Sequence, residues 1–426
     1  MSDLAIAKPL TLKCGLTLPN RLAKAALAEG LADKDALPSK ATNAVYSEWA
    51  KGGWGLVMTG NVDVDTQHVG DKLNAAYNHE LERASLLETW KGWARSCNPD
   101  GATPTVVQIN HPGRQSHRGA GSRGLFAPSI APSAVPLDFG TGLLARLMGA
   151  LVFGTPREMT VDEIRHVVGR FAETAKLAAE AGFAGAEIHA AHGYLLAQFL
   201  SEKSNKRTDA YGGSPAARAK IVVEIIRAMR AAVPSGFCIG IKLNSADHQS
   251  PEELKACLEQ LRLVAEAGVD FVEVSGGTYE NPIMSTGTAE ATSTTAANEK
   301  QPQKSERTKA REAFFLEFAS AVRSEIGSGV PLMVTGGFRS RGGMEAALAS
   351  GGCDLIGIGR PATVKPAFPK EILLNPEVKD EDASLSIEKI QPGWFLKLTG
   401  VHALGAAADS LHYRRLLQGL AYKAKA

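Results

Sequence analysis

The stretch TVDEIRHVVGRFAETAKLAAEAGFAGAEIH, residues 160–189, contains the repeating unit from which the fold is read. Thr160 followed by Glu163 resembles a capping box, in which two side chains satisfy each other's backbone N–H groups at the start of a helix. A helical pattern then runs to Ala181. Gly182 stands where helices commonly end, because a residue without a Cβ adopts the left-handed conformation cheaply. Directly after it, AGAEIH (184–189) reads as a short buried strand. A helix that turns straight into such a strand is part of a crossover unit, and alternation of such units signals a parallel sheet.

The same alternation extends in both directions. Strands are expected at 22–27, 55–59, 104–109, 184–189, 237–243, 270–275, 331–335 and 354–358. Helices are expected between them at 40–51, 80–95, 160–181, 214–233, 251–267, 307–326 and 341–350. The helix at 251–267 opens on Pro251 and stops at Gly268, the usual asymmetry of helix ends. Eight strands with intervening helices predict a closed (β/α)8 TIM barrel over residues 1–370. An open doubly wound sheet is the alternative, but no G-x-G-x-x-G turn follows the first strand. Two connections are long, 110–158 and 276–306, and both follow strands, so both belong at the rim where barrel enzymes place their sites. The first is expected to cap the substrate side. The second reads equally as a mobile lid or as plain disorder. Residues 371–426 form a C-terminal extension of mixed helical character, expected to pack on the barrel or on a partner.

Lys and Arg number 47 against 45 Asp and Glu, without long runs of one sign. That balance leaves no electrostatic footprint for nucleic acid or an anionic membrane. Cys14, Cys97, Cys238, Cys257 and Cys353 are scattered, without metal-site spacing, and an odd count does not suit a complete disulfide framework. The first residues lack the pattern of a signal peptide, and no apolar run approaches a membrane span. A soluble, cytoplasmic protein with reduced thiols is expected.

The densest chemistry lies just after the fourth strand, in His189-Ala190-Ala191-His192-Gly193-Tyr194. Two imidazoles can hold a carbonyl oxygen and stabilise negative charge growing on it. A phenol can donate a proton to a basic carbon. Two other readings remain open at this point. His-x-x-His is a possible metal pair, although no adjacent carboxylate completes a ligand set, and both rings and the phenol could simply be core residues.

The surroundings of this cluster resemble one family. The run AGFAGAEIHAAHGYLLAQFLSEKSNKRTDAYGGS (181–214) is similar to the signature of the Old Yellow Enzyme family of FMN-dependent oxidoreductases. The resemblance covers roughly residues 8–365. It continues in LPNRLAKAAL (18–27), GGWGLVMTGNV (52–62), VVQINHPGRQS (106–116), PREMT (156–160), GIKLNSAD (240–247), SGGTYE (275–280), VTGGFRS (334–340) and IGIGRP (356–361).

That resemblance implies a division of labour. Gly337, Gly359 and Arg360 match the family's FMN-phosphate site, where glycines admit backbone N–H groups and a guanidinium fork adds fixed charge. Gln108 matches the glutamine that bonds the flavin pyrimidine. Lys242 occupies the basic position beside the ring, where a cation favours the reduced anionic flavin. Ala25, Ala26, Leu27, Ala28 and Gly60 match ring-lining positions. Ala28 is a departure, since family members commonly place Thr or Cys there, and one side-chain contact to the ring is lost. Arg218 is expected to be structural.

The implied reaction passes electrons from NAD(P)H through FMN to an activated alkene. His189 and His192 would hold the acceptor's oxygen and Tyr194 would protonate its α-carbon. Two alternatives stand beside it. One is a dehydrogenase or oxidase on the same scaffold; such relatives carry a cysteine-bound iron–sulfur site and a further nucleotide domain, neither of which is expected here. The other is a flavin-binding protein with little turnover. The expected partners are thus NAD(P)H and a small activated alkene, with a second copy of the chain as an open reading.

Overall fold

The computed structural model describes residues 3–139, 142–244, 250–275, 318, 320–388 and 404–423. Eight parallel strands form the centre: β1 (Leu22–Lys24), β2 (Leu56–Asp63), β3 (Thr105–Asn110), β4 (Gly185–Ala190), β5 (Cys238–Asn244), β6 (Phe271–Ser275), β7 (Leu332–Thr335) and β8 (Leu355–Ile358). Each pairs with the next in chain order. The ring closes because β1 pairs both with β8, through Lys24 and Ile358, and with β2, through Lys24 and Val57. This is a (β/α)8 barrel, and all eight strands lie where alternation of apolar runs and helices places them.

The helices are α1 (Lys40–Ala50), α2 (Arg83–Cys97), α3 (Leu143–Val152), α4 (Val161–Ala181), α5 (Leu195–Leu200), α6 (Pro215–Ala232), α7 (Pro251–Glu266), α8 (Arg341–Ala349), α9 (Pro361–Val364) and α10 (Leu404–Lys423). At α4 the capping box forms: Thr160 Oγ1 accepts from Glu163 N at 3.2 Å while Thr160 N donates to Glu163 Oε2 at 2.9 Å. Gly182 closes the helix at φ 98°. The short α3, inside the connection expected to cap the substrate side, was not anticipated as a helix. The expected lid at 276–306 and most of the expected helix at 307–326 lie outside the described residues.

Strand alternation separates two environments. Outward-facing residues such as Val107, Ile188, Ile241, Val274 and Ile356 pack under the helices in one large apolar cluster. Inward-facing residues at the floor, Ala23, Leu56, Met58, Val106, Cys238, Phe271, Met333 and Leu355, form a second. Phe271 fills the axis so tightly that a Cβ on Gly240 would fall 2.1 Å from its ring. A hairpin of Leu10–Thr11 against Thr17–Leu18 seals this end, burying Leu12 and Leu18. Higher on the same inward faces stand Gln108, Glu187, His189, Lys242, Glu273, Ser275 and Thr335, all buried. The floor is dry packing and the mouth is polar.

β2 runs further than the expected 55–59, because its pairing with β3 slips between Met58 and Asn61. Such a bulge re-aims side chains, and here Asn61 reaches Tyr194. At the other end of the chain, α10 packs against α1 and α9, with Asp409, Tyr413, Leu417 and Ala421 forming its buried stripe at intervals of four. Among the described residues no helix is long and apolar enough to cross a membrane. The five cysteines, all among the described residues, form no disulfide.

Candidate active site

The turn after β4 is built on two consecutive left-handed residues, His192 at φ 57° and Gly193 at φ 74°. For histidine this conformation is sparsely populated and costs on the order of 1–2 kcal/mol. It is held by two hydrogen bonds to the histidine backbone. His192 N donates to Asn244 Oδ1 at 2.9 Å, and Gln115 Nε2 donates to His192 O at 2.8 Å. The bend folds the His192 ring back over His189, with 4.9 Å between centroids, and sets Tyr194 edge-on to His189 at 4.8 Å. All three candidate catalytic side chains are therefore brought together.

Hydrogen bonding orders the proton positions. Ala191 N donates to His189 Nδ1 at 3.2 Å, so the proton of a neutral His189 ring resides on Nε2. That N–H faces His192 Nδ1 at 3.2 Å, which in turn puts the His192 proton on Nε2, 3.1 Å from Ser275 Oγ. Burial holds both imidazoles neutral, His189 well below the usual range and His192 down to about 3, with Lys242 adding repulsion to each. The result is a directed chain, Ala191 to His189 to His192 to Ser275. Asn61 Nδ2 donates to the Tyr194 hydroxyl at 3.3 Å.

Beside the histidines the mouth holds four polar groups on adjacent strands. Gln108 Nε2 donates to Glu187 Oε2 at 2.5 Å, and Lys242 Nζ lies 2.8 Å from Glu273 Oε1. Burial, and next the charge of Glu273, raise the Glu187 carboxyl well above the usual range, which favours the protonated form of Glu187. Lys242 is thus no isolated cation. Neither carboxylate was singled out in the sequence, although Glu187 stands two residues before His189 and therefore on the same face of a strand.

At the rim, Ala25 is buried and its N–H donates to Ile358 O at 3.0 Å. Ala26 and Leu27 are half-buried and Ala28 is exposed. The N–H of Gly60 donates to Glu29 Oε1 at 2.8 Å and to Tyr46 Oη at 2.9 Å. A Cβ there would fall 2.3 Å from the backbone carbonyl of Leu27 and 2.0 Å from Glu29 Oε2, so Gly60 is required by the close approach of the Leu27 backbone, with Glu29, a residue the sequence did not flag, packed beside it. Arg218 donates to Leu200 O and Gly213 O, as befits a structural residue.

The far side of the mouth has the features of a phosphate cradle. Gly336 and Gly337 follow β7 with φ 137° and 84°. Gly359 follows β8, where a Cβ would make ordinary contact with Leu27 at 3.6 Å. Thr335 Oγ1 is buried without a hydrogen-bond partner, and Gly357 leaves the room it occupies. Arg360 stands at the edge, its Nη1 2.6 Å from Asp409 Oδ2. An orphaned hydroxyl, left-handed glycines and a guanidinium fit an FMN phosphate. Among the described residues, two clusters bring three metal-ligating side chains together, Cys14 with Cys238 and Asp270, and Asp65 with His68 and His111; neither contains His189 or His192.

Known proteins resemble this chain over most of its length. The sequence model of the NADH:flavin oxidoreductase / NADH oxidase family matches residues 5–375. An NADH-dependent flavin oxidoreductase of a Neonectria species is 52% identical over 420 residues, covering 97% of this chain and 54% of the relative. The chain therefore spans about half the length of that protein. Another, from Talaromyces variabilis, is 51% identical over 428 residues and 99% of each chain. Among solved structures, an old yellow enzyme homologue from Zymomonas mobilis superposes with a TM-score of 0.67 at 20% identity, over 90% of this chain and 98% of that one. A 2-naphthoyl-CoA reductase superposes with a TM-score of 0.74 at 21% identity, over 97% of this chain and 58% of that one.

Proposed function

Since the chain belongs to the NADH:flavin oxidoreductase / NADH oxidase family, we propose that it is an FMN-dependent reductase of activated carbon–carbon double bonds that draws its electrons from NADH. NADH is preferred as donor because the relatives at 52% and 51% identity are named NADH-dependent. The acceptors would be α,β-unsaturated aldehydes, ketones or imides. FMN, when bound, would supply the hydride chemistry, taking a hydride from the nicotinamide and passing it to the β-carbon of the acceptor.

The residues of the chain do the rest. Gly337, Gly359 and Arg360 would hold the phosphate, and Gln108 and Lys242 the pyrimidine edge. Ala25, Ala26, Leu27 and Ala28 would border the ring through backbone groups. His189 and His192 would bind the acceptor's oxygen with N–H groups and stabilise the negative charge that grows there. Because both N–H groups are engaged within the protein, the oxygen must displace the His189–His192 and the His192–Ser275 contacts to be held by the two rings. Tyr194 would then protonate the α-carbon.

The observation that carries this reading is the directed chain through two neutral imidazoles with a phenol against the first. Metal ligation would not need that proton order, and core packing would not need the strained backbone at His192. Positioned proton donation is worth about 10²–10⁴-fold. Tyr194→Phe is therefore expected to slow alkene reduction by that factor while leaving NADH oxidation by the flavin nearly unchanged, measured separately by anaerobic stopped-flow. Equal losses in the two half-reactions would remove Tyr194 from the acid role. NADH consumption that ignores an added enone would favour an oxidase on the same scaffold.

A further inference from the structure

Helix α10 lies beyond residue 375, where the match to the family ends. It nevertheless reaches the residue expected to grip the phosphate. Asp409 Oδ2 accepts from Arg360 Nη1 at 2.6 Å, and the Tyr413 ring lies 5.9 Å from the guanidinium carbon. Tyr413 is itself fixed, since its hydroxyl donates to Glu388 O at 2.8 Å. At the next residue, the Arg414 guanidinium pairs with Asp71 at 2.8 Å and lies directly on Gly30, where a Cβ would fall 1.8 Å from Arg414 Nη2. A single helix thus touches the connections that follow β1, β2 and β8. Its anchor on the last of these is an acid–base pair at the residue proposed to hold the phosphate.

We propose that α10 is part of the FMN site and that Asp409 is a positioning residue that holds Arg360 for the cofactor's phosphate. The inference rests on the FMN reading above. An arginine side chain has many rotamers, and confining it before the ligand arrives removes that cost from binding. Asp409 and Tyr413 impose the confinement from one side of the guanidinium. A carboxylate near a phosphate also repels it. That repulsion is damped because Arg360 is nearly a quarter exposed to solvent, whereas the guanidinium is held at 2.6 Å by a direct hydrogen bond and by the Tyr413 ring as well as by charge. Positioning is therefore the larger effect. By reciprocity, a phosphate that favours the held Arg360 also favours the docked helix.

Riboflavin carries the same ring without the phosphate and separates the possibilities. Apoprotein would be titrated with FMN and with riboflavin, following quenching of flavin fluorescence, for wild type, Asp409→Asn and Asp409→Glu. Asp409→Asn is expected to weaken FMN roughly tenfold, in keeping with the loss of a charged hydrogen bond, and to leave riboflavin unchanged. Asp409→Glu should retain most of the wild-type preference for FMN. An unchanged or stronger FMN affinity in Asp409→Asn overturns the proposal, as does an equal loss for both flavins. A second measurement needs no variant. In the wild-type protein, FMN should slow amide hydrogen exchange across residues 404–423 more than riboflavin does, and equal protection by the two overturns the proposal. Wild type that takes up neither flavin sinks the FMN reading and this inference together.

Discussion

The two ends of the barrel are built from the same eight strands and the same inward-facing alternation, yet they obey opposite rules. At the floor, Phe271, Met333, Leu355 and their neighbours form an apolar cluster across the axis. At the mouth, inward-facing positions two or four residues further along the strands hold Gln108, Glu187, His189, Lys242 and Glu273, all as deeply buried. Burying ionisable groups is expensive unless they pair or discharge. The mouth does both: Lys242 faces Glu273, Glu187 favours its protonated form, and the imidazoles are neutral. The floor therefore carries stability and the mouth carries chemistry, an arrangement typical of this barrel.

The largest effect on this contrast should come from breaking the mouth's ion pair. Lys242→Met leaves the Glu273 charge buried without its partner and is expected to cost about 3–5 kcal/mol in urea unfolding of the apoprotein. A near-neutral result would mean that the mouth is better hydrated than its burial indicates. At the floor, Phe271→Ala opens a cavity and should cost about 3–5 kcal/mol, towards the lower part of that range if the hairpin settles into the space. Unlike the mouth variant, it should leave flavin binding and both half-reactions unchanged. Altered half-reaction rates would blur the division between the ends.

The smallest effect, taken over a single pH unit, is a dependence on acidity. His111, fully buried near the mouth, is pushed by burial down to about 3 from an ordinary value of 6.5. Between those values the unfolded chain binds the proton and the folded protein does not. Its contribution to stability is complete above pH 6.5 and declines as the pH falls towards 3. The slope is on the order of 1.4 kcal/mol per pH unit. His111→Asn should flatten the acid limb of a stability-against-pH curve by about that slope, and an unchanged limb would show that other groups set it.

Much of this was legible in the chain. The positions of all eight strands followed from short apolar runs punctuated by glycine and capping residues, because those signals act over a few neighbours. The cluster His189, His192 and Tyr194 was legible because its members are close in sequence, and tertiary folding only had to bend the turn. Glu187 was available to the same reading through its two-residue spacing from His189. Gly60 drew attention as a ring-lining position, but its tight packing against Glu29 and Tyr46 could not be seen from spacing.

By itself, then, the sequence determined the barrel, its polar mouth and the residues that gather after β4, since periodicity and local spacing encode them. Only the tertiary structure decided which charges meet. Glu273 opposes Lys242 because neighbouring strands close in register, and Asp409 reaches Arg360 because a helix 49 residues away folds back over the rim. Partners so far apart leave no local trace, because ring closure and helix docking choose them after the local structure is in place.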